Sequence, residues 1–471
     1  MPAYRKVIIA QANGTGAEAA RRLDFFSQNR EGIKAGCDND IEKSGKLFIH
    51  LFCHVIRLHA EKTALFPKFP HNIFQPVLRQ PRVCIEEKQL DPSSLIAIAC
   101  SFQALDSAGL EYTKADQKRN TYSIPSLDKE RAGVFMGTGI AGLGTFASCY
   151  SYHLLLRQKE ALAKASAQLG NHPVGEILKQ VQDRMHYPRR FNPFAVSMTM
   201  PNACSANIGI KFNLHGSNNA YCAACASGTV AIGHGFKAVR SGELDVALVG
   251  GVEHLSDEYG GIFAGFDAVR ALANNNEDPD KANRPFDKDR TGFLFSEGGG
   301  AVFVIETLEH AQNRGARIYA EIAGYAETCD GFNIMMIESG GTQILKMLDL
   351  AFADAGLTAQ DIDYINAHGT GTRLNDETET AVIEKVFRKD VLVNSTKSLI
   401  GHTLGASGAI EALVTALSIH HKTTHVCRNL DHPMKDLNFV TKVDSYPIRT
   451  GLSQSFGFGG HNAVLVLREY E

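Results

Sequence analysis

The chain lacks an excess of charge of either sign. Its 471 residues carry a net charge of −3, so no strongly basic face dominates, and nucleic acid is excluded as an expected partner. It lacks a long hydrophobic run. The stretch from Leu47 to Leu58 is broken by His50, His54 and Arg57 and is too short to span a bilayer. Val7-Ile8-Ile9, behind Lys6, is too short for the apolar core of a signal peptide. The cysteine density of a disulfide scaffold is missing as well. Ten cysteines are spread through the chain, which suits a reducing compartment. Together these absences predict a soluble cytoplasmic protein with no membrane contact.

Metal-ligand spacing is also absent. Cys222 and Cys225 form one Cys-x-x-Cys pair, with no second such pair, so no metal is expected. A redox dithiol remains open, although the chain is far larger than a thioredoxin unit.

What is present points to an α/β fold. The length exceeds that of one simple core, so two domains or two fused halves are expected. Arg131–Met136, Asp245–Gly250, Ala301–Ile305 and Ala463–Leu467 read as strands, and Asp245–Gly250 is apolar on both faces, as a central parallel strand is. An internal echo stands out. Ala104-Leu-Asp-Ser-Ala-Gly-Leu110 is matched by Ala351-Phe-Ala-Asp-Ala-Gly-Leu357, half a chain later. Each reads as a helix end with a capping glycine, then a strand running into a Gly-Thr-Gly turn. The echo suggests a duplicated α/β unit. Residues 37–80 and 158–187 look inserted, the second as a surface helical hairpin.

The sharpest chemical signal is Asn219-Ala-Tyr-Cys-Ala-Ala-Cys225-Ala-Ser-Gly228. An extended stretch ends at Cys225 and small residues open a helix. That turn lies at the positive end of the helix dipole, which favours thiolate and makes a nucleophile. A small core cysteine is the alternative. Gly137-Thr-Gly-Ile-Ala-Gly142 fits the dinucleotide fingerprint after a strand, but no compact βαβ unit places an acidic residue for a ribose. His368 lies in Asn366-Ala-His-Gly-Thr-Gly-Thr372, directly after a strand, and His402 in Lys397-Ser-Leu-Ile-Gly-His-Thr-Leu-Gly-Ala-Ser-Gly408, before a helix carrying Glu411. A histidine at a strand end between small residues is placed to face a cleft. In Ser455-Phe-Gly-Phe-Gly-Gly-His-Asn462 the glycines allow backbone N–H groups to turn inward, as an oxyanion hole needs.

Together these motifs resemble the β-ketoacyl-carrier-protein synthases, closest to the elongating type and to the ketosynthase subunits of iterative polyketide systems. Arg284-Pro-Phe-Asp-Lys-Asp-Arg290 and Ser296-Glu-Gly-Gly-Gly300 look like further family segments, and the likeness runs through residues 81–471. The resemblance implies a thiolase-like fold: two duplicated αβαβα halves in a five-layered core. It divides the chain into an N-terminal half, 1–313, holding Cys225, and a C-terminal half, 314–471, holding the two histidines.

It also implies roles. Cys225 would carry the acyl group, and His368 and His402 would stabilise the enolate left when malonyl thioester loses carbon dioxide. Lys397 and Glu411 match a supporting pair that orients the histidines. Backbone N–H groups of Cys225 and Phe458 would form the oxyanion hole, and Phe458 matches a gating residue. Thr370 and Thr372 match positions that hold the phosphopantetheine arm, and Ile140 and Phe266 match acyl-pocket walls. Arg189, Arg190 and Arg270 match positions that dock the acidic acyl carrier protein. No cofactor is implied beyond the phosphopantetheine of the carrier. The expected assembly is a homodimer, or a heterodimer with a chain-length-factor-like homologue, paired through Asn218–Cys222.

Two departures weigh against a housekeeping role. The turn after Val7–Ile9 keeps little of the family's glycines, and Cys84–Pro92 replaces a basic helix. They favour decarboxylative condensation in specialised polyketide or polyene synthesis over fatty-acid synthesis. Two other readings stand beside it. A thiolase-type acyltransferase would need a second cysteine near the C-terminus, where Gly457–Asn462 has none. A non-elongating chain-length subunit would lack Cys225.

Overall fold

The computed structural model describes residues 6–11, 89–185, 191–257, 259–274 and 278–470. The segment 37–80 lies outside them. Twelve strands are present among the described residues, ten of them in one sheet. The first half of that sheet runs β5 (Asn218–Tyr221), β4 (Ala132–Gly137), β6 (Val246–His254), β7 (Gly298–Thr307), β1 (Val7–Gln11). The second runs β10 (Leu392–Asn394), β9 (Tyr364–Asn366), β11 (Thr450–Gly457), β12 (His461–Arg468), β8 (Arg317–Cys329). The two orders are the same. In each, three neighbouring strands pair parallel and the last two pairings are antiparallel. β1 also pairs antiparallel with β8 and so joins the halves. The small β2 (Thr113–Asp116) and β3 (Thr121–Ser123) form a separate hairpin.

The apolar runs of these strands are explained by what lies on both faces. On β4, Val134 and Met136 face an outer cluster with α1 (Pro92–Ala108) and α5 (Ala203–Phe212), while Phe135 faces a central one. On β12, Leu465 and Leu467 face the centre, and Val464 and Val466 pack with α9 (Thr342–Ala355) and α10 (Arg373–Val386). With alternating residues buried on opposite faces, both registers must be apolar. The central layer is α6 (Ser227–Ser241) and α12 (Ser407–His421), packed on each other between the two sheet halves. The architecture is therefore αβαβα, the thiolase-like fold expected from the sequence.

The echoed glycines cap α1 and α9 in left-handed backbone, Gly109 at φ 67° and Gly356 at φ 65°. Such φ values cost a side-chain-bearing residue roughly 1–2 kcal/mol. The hairpin expected over 158–187 is present, but its first arm, α2 (Leu143–Leu169), begins sooner, straight after the turn at Gly142. Its second arm is α3 (Pro173–Arg184). The hairpin keeps Phe146, Ile177 and Val181 exposed. The short helices are α4 (Ala195–Thr199), α7 (Gly261–Ala268), α8 (Leu308–Asn313) and α11 (Lys397–Ile400). Among the described residues no helix is long and apolar enough to cross a membrane.

Candidate active site

Cys225 sits in a 3-10 turn that leads from β5 into α6, as the small residues around it predict. The residue before it, Ala224, holds left-handed backbone at φ 48°. The same turn recurs at the start of α12, with Leu404 at φ 46°. The sequence carries this second echo openly, Cys225-Ala-Ser-Gly228 against Gly405-Ala-Ser-Gly408. This echo is the sequence signal for Ser407 and Leu404.

Those two residues define the state of His402. Leu404 N–H donates to His402 Nδ1 at 3.2 Å, and Ser407 Oγ lies 3.0 Å from the same nitrogen. A nitrogen that accepts a backbone N–H carries no proton in the neutral ring, so the proton is on Nε2. Nε2 lies 3.1 Å from Cys225 Sγ. His368, after β9, stands edge-on to His402 with ring centroids 5.6 Å apart. Its backbone N–H donates to Glu379 Oε1 at 2.7 Å, from α10, which pins the turn. Lys397 Nζ donates to His368 Nδ1 at 3.2 Å and to its carbonyl oxygen at 2.8 Å. An ammonium only donates, so His368 also presents Nε2–H. Lys397 pairs with Glu411 in a fully buried ion pair, and Asn283 Nδ2 donates to the Lys397 carbonyl.

Burial, then the Lys397 charge, holds both histidines well below the ordinary imidazole range, with His402 adding to the effect on His368. They are neutral at physiological pH. Burial pushes the Cys225 thiol up to about 12, against the lowering pull of Lys397 and of the Phe458 N–H. This corrects the expectation that the helix start favours thiolate. Desolvation of a charge in a closed pocket outweighs the helix terminus, and the resting group is the thiol. Burial likewise pushes Glu411 up to about 7, with Lys397 opposing.

A cavity of about 670 Å³ gathers Cys225, His368, His402, Thr370, Thr372 and Phe458. Phe266 and Arg270 line it too. Thr370 and Thr372 share a hydroxyl contact of 2.8 Å, and Arg290 holds their turn by donating to the Arg373 carbonyl at 3.0 Å. Ile140 packs with Leu255, Leu404, Phe266 and Phe295 around Cys225. Lys397 and Glu411 stand behind the histidines, away from the lining. Phe458 is exposed in the tight turn between β11 and β12. Arg270 is exposed in left-handed backbone at φ 55°. Arg189 and Arg190 lie outside the described residues.

Two open readings lose their support. The thiols of Cys222 and Cys225 face different partners: Cys222 Sγ donates to the Gly139 carbonyl at 3.2 Å, while Cys225 faces His402. The N–H of Gly139, in the dinucleotide-like turn, already serves a protein carboxylate, Glu253 Oε2, at 2.6 Å.

The chain matches known proteins along most of its length. Residues 82–311 match the family model for the β-ketoacyl synthase N-terminal domain and residues 319–431 that for its C-terminal domain. The chain is 36% identical over 396 residues to a 3-oxoacyl-[acyl-carrier-protein] synthase 2 of Rhizobium meliloti (strain 1021), covering 82% of each. A solved structure of a type II PKS acyl-carrier protein in complex with its ketosynthase bound to the hexaketide matches with TM-score 0.68 at 27% identity, over 81% of this chain and 86% of its own. The ishigamide ketosynthase/chain length factor matches with TM-score 0.68 at 27% identity over 100% of both chains. With both family models and a relative of this identity matched across most of its length, the chain belongs to the β-ketoacyl synthase family.

Proposed function

We propose that this enzyme catalyses the decarboxylative condensation of an acyl group held on Cys225 with malonyl-carrier protein. The observation that carries the reading is Cys225 Sγ at 3.1 Å from His402 Nε2, with His368 beside it in one cavity.

In the loading half-reaction the Cys225 sulfur attacks an acyl thioester. The thiol proton leaves with the carrier thiol. The Phe458 N–H already turned to the sulfur and the Cys225 N–H are the donors for the thioester oxygen. In the second half-reaction the malonyl carbonyl oxygen accepts from the two Nε2–H groups. Loss of carbon dioxide breaks the carbon–carboxylate bond and leaves its electron pair in the enolate. The enolate carbon attacks the acyl carbonyl, the carbon–carbon bond forms, and the sulfur leaves as thiolate and takes a proton. Neutral histidines suit this work, because they donate to a developing oxyanion without having to give up a proton.

The phosphopantetheine arm enters with its carrier past Thr370 and Thr372, and no cofactor of the enzyme's own is required. Arg270, exposed at the rim, suits an acidic carrier. The half-exposed β5 ends the sheet among the described strands and leads directly into Cys225. That supports a dimer joined edge to edge there, either of two copies or with a chain-length-factor-like homologue. A matched type II PKS ketosynthase structure supports the reading of a specialised polyketide or polyene pathway, and we place the enzyme in the cytoplasm.

The test is incubation with acyl and malonyl carrier proteins, with mass spectrometry of the trapped adduct. Acyl mass on Cys225, release of carbon dioxide and a β-ketoacyl product are expected. Modification on Cys222 with Cys225→Ala still active would overturn the assignment. Light scattering of the protein alone separates a homodimer from a chain that waits for a partner.

A further inference from the structure

Glu253 takes no part in the chemistry above, yet it is fully buried between the two halves of the site, near the end of β6. Its Oε1 accepts from Thr138 Oγ1 at 2.8 Å and from Ile140 N–H at 3.3 Å. Its Oε2 accepts from Gly139 N–H at 2.6 Å and from Gly405 N–H at 2.9 Å. Thr138, Gly139 and Ile140 form the turn after β4, in the N-terminal half, which carries the acyl-wall residue Ile140. Gly405 lies in the turn that carries His402, in the C-terminal half. One carboxylate therefore spans the two.

The spacing is tight on both sides. A Cβ on Gly405 would stand 2.2 Å from Gly139 N and 2.5 Å from Glu253 Oε2. A Cβ on Gly139 would stand 2.8 Å from the same oxygen. The chemistry is equally restrictive. An ionised carboxylate is an acceptor at both oxygens, and donors converge on both. A carboxamide of the same shape turns an NH₂ group toward one of the two donor pairs.

We propose that Glu253 is a positioning residue for the condensation, setting the distance between the acyl wall at Ile140 and the imidazole of His402. The inference rests on the reaction proposed above. The mechanical link is short. The residue next to Gly405 is Leu404, whose N–H fixes the tautomer of His402 and whose side chain packs with Ile140 around Cys225. Displacing the Gly405 turn displaces that N–H, and with it Nε2 relative to Cys225 Sγ. Displacing the Gly139–Ile140 turn reshapes the space beside the sulfur. A misplacement of about 1 Å costs roughly a hundredfold in rate.

The experiment uses the full-length protein and its Glu253→Gln and Glu253→Asp variants. Melting temperature, kcat and KM with acyl thioesters of increasing length, and the rate of Cys225 alkylation by iodoacetamide are measured, with Cys225→Ala as the blank. In folded Glu253→Gln, kcat should fall roughly tenfold to a hundredfold with KM for the malonyl substrate little changed. The preference for acyl length and the alkylation rate should move with it. Glu253→Asp, which keeps the acceptor oxygens, should recover part of the loss. A merely structural glutamate would lower the melting temperature and leave kcat per folded molecule, acyl preference and alkylation as in the wild type, and that result overturns the proposal. If Glu253→Gln fails to fold, Thr138→Val removes one donor and decides: lowered kcat supports the proposal and unchanged kcat overturns it. A wild-type protein that condenses nothing, alone or with a chain-length-factor-like partner, would refute the reaction instead, while the alkylation comparison would still judge Glu253.

Discussion

Lys397 donates to His368 twice, to the ring nitrogen Nδ1 at 3.2 Å and to the backbone carbonyl at 2.8 Å. The same ammonium neutralises Glu411 in a buried pair. Ring orientation, tautomer and local charge balance therefore hang on one side chain.

Lys397→Ala should damage stability and chemistry together. It leaves Glu411 buried without its cation, a loss of about 3–5 kcal/mol for pairs of this kind. Pairing Lys397→Met with Glu411→Gln removes both charges. The double variant should regain most of the melting temperature and none of the condensation. Recovery of condensation would show that His368 needs no orientation from Lys397.

The two histidines should separate by half-reaction. His368→Ala should load acyl groups on Cys225 normally and release carbon dioxide roughly a hundredfold to a thousandfold more slowly. His402→Ala should lose as much in decarboxylation and also load more slowly, because its Nε2 touches the sulfur. Stopped-flow loading with a chromogenic thioester, beside radiolabelled carbon dioxide release, reads the two steps. Equal loading by both variants would remove His402 from acyl transfer.

The pH behaviour follows from burial. A thiol pushed up to about 12 gains thiolate by about tenfold per pH unit below that value. Alkylation of Cys225 by iodoacetamide should therefore still be climbing above pH 9 in the folded protein, and a plateau near 8.5 would contradict the assigned environment. Both histidines stay unprotonated well below 6.5, for burial and Lys397 disfavour their cations. Decarboxylation by the acylated enzyme should show no inflexion from either histidine as pH falls from 7.5 to 6, and an inflexion near 7 would belong to Glu411, whose carboxyl is pushed up to about 7.

Arg270→Glu should raise KM for carrier-protein substrates and leave small thioesters unaffected, since a charge at the rim acts on encounter. The contrast should shrink with added salt. Equal loss on both substrates would place the effect inside the cavity.

Much of this was legible before folding. β4, β6, β7 and β12 announce themselves as apolar runs between turns. Cys225 and His368 follow strand ends and His402 follows a short helix, each where glycine or alanine crowds the turn, a pattern that close backbone approach requires. The Ala-Gly-Leu echo pointed to duplication, and the identical strand orders of the two halves carry the same repeat. Glu253 and Glu379 were not legible. An isolated glutamate carries no periodic signature, and its value lies in which N–H groups converge on it after folding.

The local order of residues determined the strand-and-helix pattern, the repeat and the identity of the reactive groups, because those follow from spacing along one segment. Tertiary structure alone decided what those groups are in chemical terms. Cys225 and His402 lie on separate halves and meet at 3.1 Å only when α6 and α12 pack together. The resting protonation of the thiol, the tautomers of both imidazoles and the span of Glu253 all depend on desolvation and on donors brought from distant turns. Burial and convergence of that kind are properties of the packed chain, and no stretch of sequence contains them.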